Sequence, residues 1–387
     1  MVTEKGQITR LFDFDKFVDR QGSFSFKWDR YKGRDIIPMW VADMDFQSPP
    51  SVIKALHTRV EHGVFGYTLA PDELVDAVLS MCESDFNWKI KKEWLVWLPG
   101  LVTGLNVACR AVGEHGDDVL TLVPVYPPFL TAPENMHRNL VTVPLAEKSG
   151  KWLIDFDLLE NAITPRTRLF ILCNPHNPVG RVFDRRELSR LALICKKNDI
   201  IVCSDEIHCQ LVLDKDKKHI PFAALDPDVS RSTITFMAPS KTFNIPGLGC
   251  SFAVISDSGL RKKFRRAMAG IVPMLNTFAY TAALAAYRDG KDWHRSLLDY
   301  LRKNHDYLYE AVNKIPGLSM SRVEATYLAW IKICDTKIDD PVKFFEKAGV
   351  GLSDGKEFMG PGFVRLNFGC SHSVLHKAVG RMEAAVI

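Results

Sequence analysis

From residue 94 to 255 the chain alternates short, unbroken apolar runs with longer amphipathic stretches. The runs are WLVWL (94–98), VLTLV (119–123), LVTV (140–143), LFILC (169–173), IIVCS (200–204), TITFM (233–237) and SFAVI (251–255). Strands that read as continuous apolar runs are buried on both faces, which is the pattern of a mostly parallel sheet covered by helices. The stretches between them carry helical spacing. In DRRELSRLALICKKN (184–198), Asp184 stands as N-cap and Glu187 three residues later completes a capping box. Gly100 leads into another helix, TGLNVACRAVGEH (103–115). After about residue 290 the texture changes. A long helical stretch, DWHRSLLDYLRKNHDYLYEAVNKI, ends at Pro316-Gly317, and strand-like TYLAWIKI and VRLNFGC follow, with a helix between them and another at the C-terminus. The first 45 or so residues, rich in aromatic and charged side chains, read as an extended arm on this second unit. The expectation is an α/β fold with a large domain over 47–287 and a smaller α+β domain formed by 1–46 and 288–387.

Composition narrows the function without naming it. At 387 residues the chain exceeds one ordinary core and implies about two domains. A formal charge of +4, with no basic run or aromatic-interleaved stripe, argues against a nucleic-acid partner. The apolar runs fall far short of the roughly 20 residues that span a bilayer, so no membrane association is expected. The start, MVTEKGQITRLFDFDKF, lacks the apolar core of a signal peptide. The nine cysteines are scattered without paired spacing, and most lie in apolar stretches, as expected of reduced thiols in a cytoplasmic protein. Cys203, His208 and Cys209 lack metal-ligand spacing, so no metal is expected.

The chemistry gathers around APSKTFNIPGL (238–248), where Lys241 follows an apolar strand. A lysine there either snorkels to water or lowers its pKa and becomes a nucleophile toward a carbonyl. Other polar groups fall at the carboxyl ends of the same set of strands, where ligands of open α/β sheets bind. Asp205-Glu206 ends IIVCS, Asn174-Pro175-His176-Asn177-Pro178 ends LFILC, Tyr126 follows VLTLVPV, and Gly100 ends WLVWLPG. Singly, each is an ordinary turn, cap or loop residue. Together they match what pyridoxal phosphate needs: a lysine for its aldehyde, a carboxylate for its ring nitrogen, and amides at a helix N-terminus for its phosphate.

On these residues the chain resembles the fold type I, class I/II aminotransferase family of pyridoxal-phosphate enzymes over nearly its whole length. Within that family it is most similar to the cystathionine β-lyase subfamily, through KWD (27–29), PMWVADMDF (38–46), GYT (66–68), VYPPF (125–129), NPHNPVGR (174–181), SDEIH (204–208), SKTFNIPGL (240–248) and VRLNFG (364–369). The resemblance implies an aspartate-aminotransferase-like fold with a seven-stranded, mostly parallel sheet. It implies that Lys241 bonds the cofactor and acts as catalyst, that Asp205 faces the ring nitrogen, and that Asn177 meets the phenolic oxygen with His208 on the same side. By the same likeness Tyr126 stacks on the ring, and the Leu101 and Val102 amides with the Ser240 hydroxyl hold the phosphate. Tyr67 reaches that phosphate from a neighbouring subunit, which implies a homodimer with shared sites. Arg365, with Asn177, clamps the substrate carboxylate. Two positions depart from the wider family: a serine three residues before the lysine and an arginine eight after it, both phosphate ligands, are here Ala238 and Gly249.

The resemblance implies β-elimination of L-cystathionine or a related cysteine S-conjugate to a thiol, pyruvate and ammonia. The same residues serve an aminotransferase, which is the alternative. A non-catalytic, cofactor-binding regulator is a third reading. The arm carrying Trp40 and Asp43 is expected to fold over the site and bring both near the substrate.

Overall fold

All seven apolar runs become strands of one sheet in the computed structural model, which describes residues 12–334 and 338–387. They are β1 (Leu95–Leu98), β2 (Asp118–Val123), β3 (Asn139–Pro144), β4 (Thr167–Cys173), β5 (Ile201–Asp205), β6 (Thr233–Met237) and β7 (Ser251–Val254). Their order across the sheet is β1-β7-β6-β5-β4-β2-β3. Only β7 runs antiparallel to its neighbours. Every residue of β2, β6 and β7 is buried, which is why these strands read as apolar runs rather than as an alternation. The edge strand β3 is the exception and is partly exposed.

Two helices set up the site. α1 (Leu101–Ala111) starts two residues earlier than its apolar pattern suggests, directly behind Gly100, and has no side-chain cap on its first amides. An uncapped helix start offers free N–H groups and positive dipole character. α2 (Arg185–Lys197) carries the expected capping box: Asp184 accepts from the Arg186 and Glu187 amides, and Glu187 accepts from the Asp184 amide.

The C-terminal segment forms a second, antiparallel sheet from β8 (Leu318–Met320), β9 (Leu328–Ile333), β10 (Ser353–Asp354) and β11 (Phe363–Asn367), in the order β8-β9-β11-β10. Helices α3 (Lys291–Val312) and α4 (His372–Val386) pack with it. The arm joins the same core through Phe14, Met39, Met44 and Phe46, which lie among Leu297, Leu301, Leu366 and Leu375. The start of the arm, residues 1–11, lies outside the described residues.

Between the two sheets runs an extended strap, 39–46, with almost no regular structure. Its backbone polar groups still need partners, and side chains supply them. Trp40 O accepts from Arg365 (2.9 Å) and Ser353 (2.8 Å). Val41 O and Asp43 O both accept from Asn367 Nδ2 at 2.6 Å. Met44 O and Phe46 O accept from Asn244 Nδ2 at 2.9 and 2.7 Å, while Asn244 Oδ1 receives the Met44 amide. Lys27 and Trp28 both donate to Asp45, so the KWD motif serves to hold PMWVADMDF.

Asn244 sits at φ +54, in the left-handed region that asparagine tolerates better than alanine. Asn244→Ala therefore strains the backbone and strands three strap groups. It should destabilise the protein by about 2–4 kcal/mol in urea unfolding. A loss under about 0.5 kcal/mol, the scale of an ordinary surface change, would contradict this description of the strap.

Candidate active site

The parallel register carries β4, β5 and β6 to a common edge: Cys173 lies opposite Asp205, and Asp205 opposite Phe236. The turns beyond these strand ends deliver Asn177, His208, Ser240 and Lys241. The loop after β1 brings Gly100 and α1, and the loop after β2 brings Tyr126. β11 contributes Arg365 from the other sheet, and the strap contributes Val41 and Ala42. All of these line one cavity of about 320 Å³, a size that suits a small cofactor or ligand. Lys241, Asp205, Asn177, Tyr126, His208, Leu101, Val102, Ser240 and Arg365 thus meet as expected from the sequence. Tyr67, expected at the site of a neighbouring subunit, is 99% exposed and lies outside this cavity.

Burial moves the ionisable groups of the cavity toward neutrality. It pushes the Asp205 carboxyl up to about 7, with Glu206 adding in the same direction and the Ile207 amide and Lys241 opposing. It pulls the Lys241 ammonium down to about 8, against the attraction of Asp43 and Asp205 and with Arg365 pushing the same way. His208 falls to about 3 through burial and the cations Lys241 and Arg365, so its ring is neutral. Arg365 drops to about 10 through burial and stays charged.

Several donors point to missing partners. The buried Nε of Arg365 and Nδ1 of His208 have no hydrogen-bond partner among the described residues. The Arg365 guanidinium otherwise donates to Asn177 Oδ1 (3.1 Å) and Trp40 O (2.9 Å), and lies 4.6 Å over the Phe358 ring. Lys241 Nζ donates to Ala42 O at 2.6 Å. A charged fork with an unused donor, facing a cavity with an uncapped helix start, can hold two anionic groups at once.

Gly249 has a backbone reason to lack a side chain. It sits at φ +61, and a Cβ there would come within 3.0 Å of Pro99 O. Any side chain at this position, the arginine of the wider family included, would be strained.

Other features were not visible in the sequence. Glu206 does not face the cavity. It is fully buried and accepts from Ser204, the Phe222 amide and His219, forming a brace behind Asp205. Asp43 does not turn to the cavity either, since Arg20 takes its carboxylate in two hydrogen bonds of 3.2 and 2.7 Å. The Trp40 ring packs on Phe26 and under Arg30. The strap brings backbone carbonyls to the site where its side chains were expected. Tyr327, just before β9, is fully buried and donates to Ala42 O at 3.0 Å.

Comparison with known proteins agrees with this geometry. The family model "Aminotransferase class I and II" matches residues 34–382. The chain is 39% identical over 390 residues to "Cystathionine beta-lyase PatB" of Bacillus subtilis, covering 97% of this chain and 100% of that protein. The solved structure of OvoB superposes with a TM-score of 0.95 at 46% identity, covering 97% of this chain and 99% of that one. The PLP-bound C-S lyase from Staphylococcus hominis superposes with a TM-score of 0.92 at 34% identity, covering 97% and 98%.

The raised Asp205 value makes a stability prediction for the cofactor-free protein. The folded state binds this proton more tightly than the unfolded chain, whose value lies near 4. Asp205 therefore contributes stability that is fully present below pH about 4 and lost as pH rises through about 7. Asp205→Asn removes that loss, so the variant should gain thermal stability over wild type as pH goes from 4 to 8. Parallel curves for the two proteins would contradict the assignment.

Proposed function

Because the chain belongs to the class I and II aminotransferases, we propose that it is a pyridoxal-phosphate carbon–sulfur lyase. Its reaction is β-elimination of L-cystathionine or a related cysteine S-conjugate to a thiol, pyruvate and ammonia. The observation that carries this reading is the convergence of Lys241, Asp205 and Arg365 in one cavity, in a chain that matches a cystathionine β-lyase along its full length.

The residues fit the cofactor. The uncapped start of α1, with the Leu101 and Val102 amides and the Ser240 hydroxyl, would take its phosphate. Tyr126 would lie against the ring, Asn177 and His208 would sit at its phenolic oxygen, and Asp205 would face its nitrogen. When bound, the cofactor supplies an acceptor for the electron pair left on the substrate α-carbon.

The chain's own groups do the rest. Arg365, with its Nε donor unused and Asn177 beside it, holds the substrate carboxylate as a bidentate fork. Lys241, pulled down to about 8, is far more readily neutral than an exposed lysine, about a tenth at pH 7, and takes the α-proton. A positive charge at the ring nitrogen draws Asp205 back to its ionised form, so that Asp205 keeps a proton on that nitrogen. His208 stays neutral and adds no charge beside Lys241. Loss of the thiolate from the β-carbon and hydrolysis of the remaining fragment give pyruvate and ammonia.

The domain division at 47–287 assigns the cofactor walls to the larger unit and Arg365 to the smaller one. The working unit is a homodimer in the cytoplasm. Tyr67, Phe65, Val64 and Leu69 are exposed on one extended segment, which suits burial against a second copy whose phosphate site Tyr67 then completes. All nine cysteines are free and eight are buried, in keeping with a reducing compartment.

Purified protein given L-cystathionine without a keto acid should release thiol and pyruvate in equal amounts over many turnovers. Lys241→Ala should lower that rate by roughly three orders of magnitude or more. Amino transfer that needs a keto acid, with no thiol released, would replace this reading by an aminotransferase. Bound cofactor with neither reaction would replace it by a regulator. In sedimentation the 43.7 kDa chain should run as a dimer. Tyr67→Phe should weaken cofactor retention by about tenfold, the worth of one hydrogen bond to a charged group. A monomer with undiminished retention would contradict the shared site.

A further inference from the structure

The backbone carbonyl of Ala42 carries two donors from opposite sides of the cavity. Lys241 Nζ reaches it at 2.6 Å from the loop after β6, and Tyr327 Oη reaches it at 3.0 Å from the turn before β9. Tyr327 is fully buried, and its ring meets the His208 ring edge-to-face at a centroid distance of 6.4 Å. Burial, helped by Asp43, raises its phenol far above the ordinary range, so the hydroxyl keeps its proton and can only donate to the carbonyl. Thr326, the residue before it, stands at φ +81.

We propose that Ala42 O is the seat that the Lys241 amine occupies whenever it is not bonded to the cofactor, and that Tyr327 is a positioning residue which fixes this seat and limits its hold on the ammonium form. A carbonyl oxygen has two lone pairs. The phenol occupies one permanently, which leaves a single direction for the lysine. By drawing density from the same oxygen, the phenol also weakens the carbonyl as a partner for a cation. The lysine is thus returned to one place after each bond exchange, in a state closer to the free amine. This rests on Lys241 being the base in the proposed reaction. The other charges that act on Lys241 are those of Asp43, held by Arg20 outside the cavity, and of Asp205 and Arg365 within it, with His208 responding to Lys241, and none of these side chains donates to this carbonyl.

The test compares wild type with Tyr327→Phe, first without cofactor. Trace acetylation with acetic anhydride, read by mass spectrometry at Lys241 across pH, gives the pH of half-maximal labelling. In the variant the ammonium has the carbonyl to itself, so that pH should rise by about 0.5–1 unit, the scale of one neutral hydrogen bond changing partners. In the cofactor-loaded enzyme, kcat should fall by about 10–100-fold with KM within about twofold, as for a misplaced catalytic group. The isotope effect from α-deuterated substrate should also grow. A purely structural role would lower the melting temperature and leave both the labelling pH and the isotope effect unmoved. An unchanged labelling pH in a folded variant overturns the proposal. If Tyr327→Phe does not fold, 3-fluorotyrosine at this position decides: its stronger donor should lower the labelling pH, and no shift overturns the proposal. The labelling result does not depend on any lyase activity, so the seat can fail while the lyase reading stands, and the reverse.

Discussion

One constraint governs the site: the strap at 39–46 has to cross a dry gap between two sheets, and its carbonyls cannot be left unpaired there. An extended segment with few strand neighbours has little ladder to satisfy it, so most of its carbonyls draw side-chain donors. Those donors are Arg20, Lys27, Asn244, Lys241, Tyr327, Ser353, Arg365 and Asn367. Two of the groups that hold the strap, Lys241 and Arg365, also line the cavity. Arg365 is aimed partly by Trp40 O, and Lys241 by Ala42 O. Fold and chemistry are linked through backbone atoms that every residue type possesses.

The same dryness sets the electrostatics. Desolvation moves Asp205 up and Lys241 and His208 down, so the cavity is poised near neutrality apart from Arg365. Two anionic groups, one at the start of α1 and one at Arg365, are what such a cavity lacks. A cofactor phosphate and a substrate carboxylate would supply them. Gly249, at φ +61 with Pro99 O within 3.0 Å of where a Cβ would stand, is poorly suited to any side chain.

The parts of this design that were legible in the sequence are those with a periodic or compositional signature. The seven central strands could be read because burial on both faces makes each an apolar run. α2 could be read because its Asp184–Glu187 cap is written in side chains. The site residues at strand ends could be read because the parallel sheet gathers those ends at one edge. Tyr327 could not: inside TYLAWIKI it looks like one more strand aromatic, and its bond to Ala42 O, 285 residues away, leaves no sequence signal. Asp43 was misplaced for a related reason. The arm was expected to bring it near the substrate, but Arg20, 23 residues earlier and without any spacing signal, claims the carboxylate. Glu206, which the sequence only placed beside Asp205 at the strand end, is its buried brace.

The account stands or falls on the strap being a fixed wall of the site and not a lid. Hydrogen–deuterium exchange of peptides spanning 37–46 tests this directly, because the amides of Ile37, Met39, Met44 and Asp45 are bonded to Gly349, Gly351, Asn244 and Gly369. The account predicts exchange as slow as in β5 and β6, with or without cofactor, since opening the strap would require the surrounding core to open as well. Exchange as fast as in the exposed segment around Tyr67 would contradict it, and would mean that Lys241 and Arg365 are positioned by something other than these carbonyls.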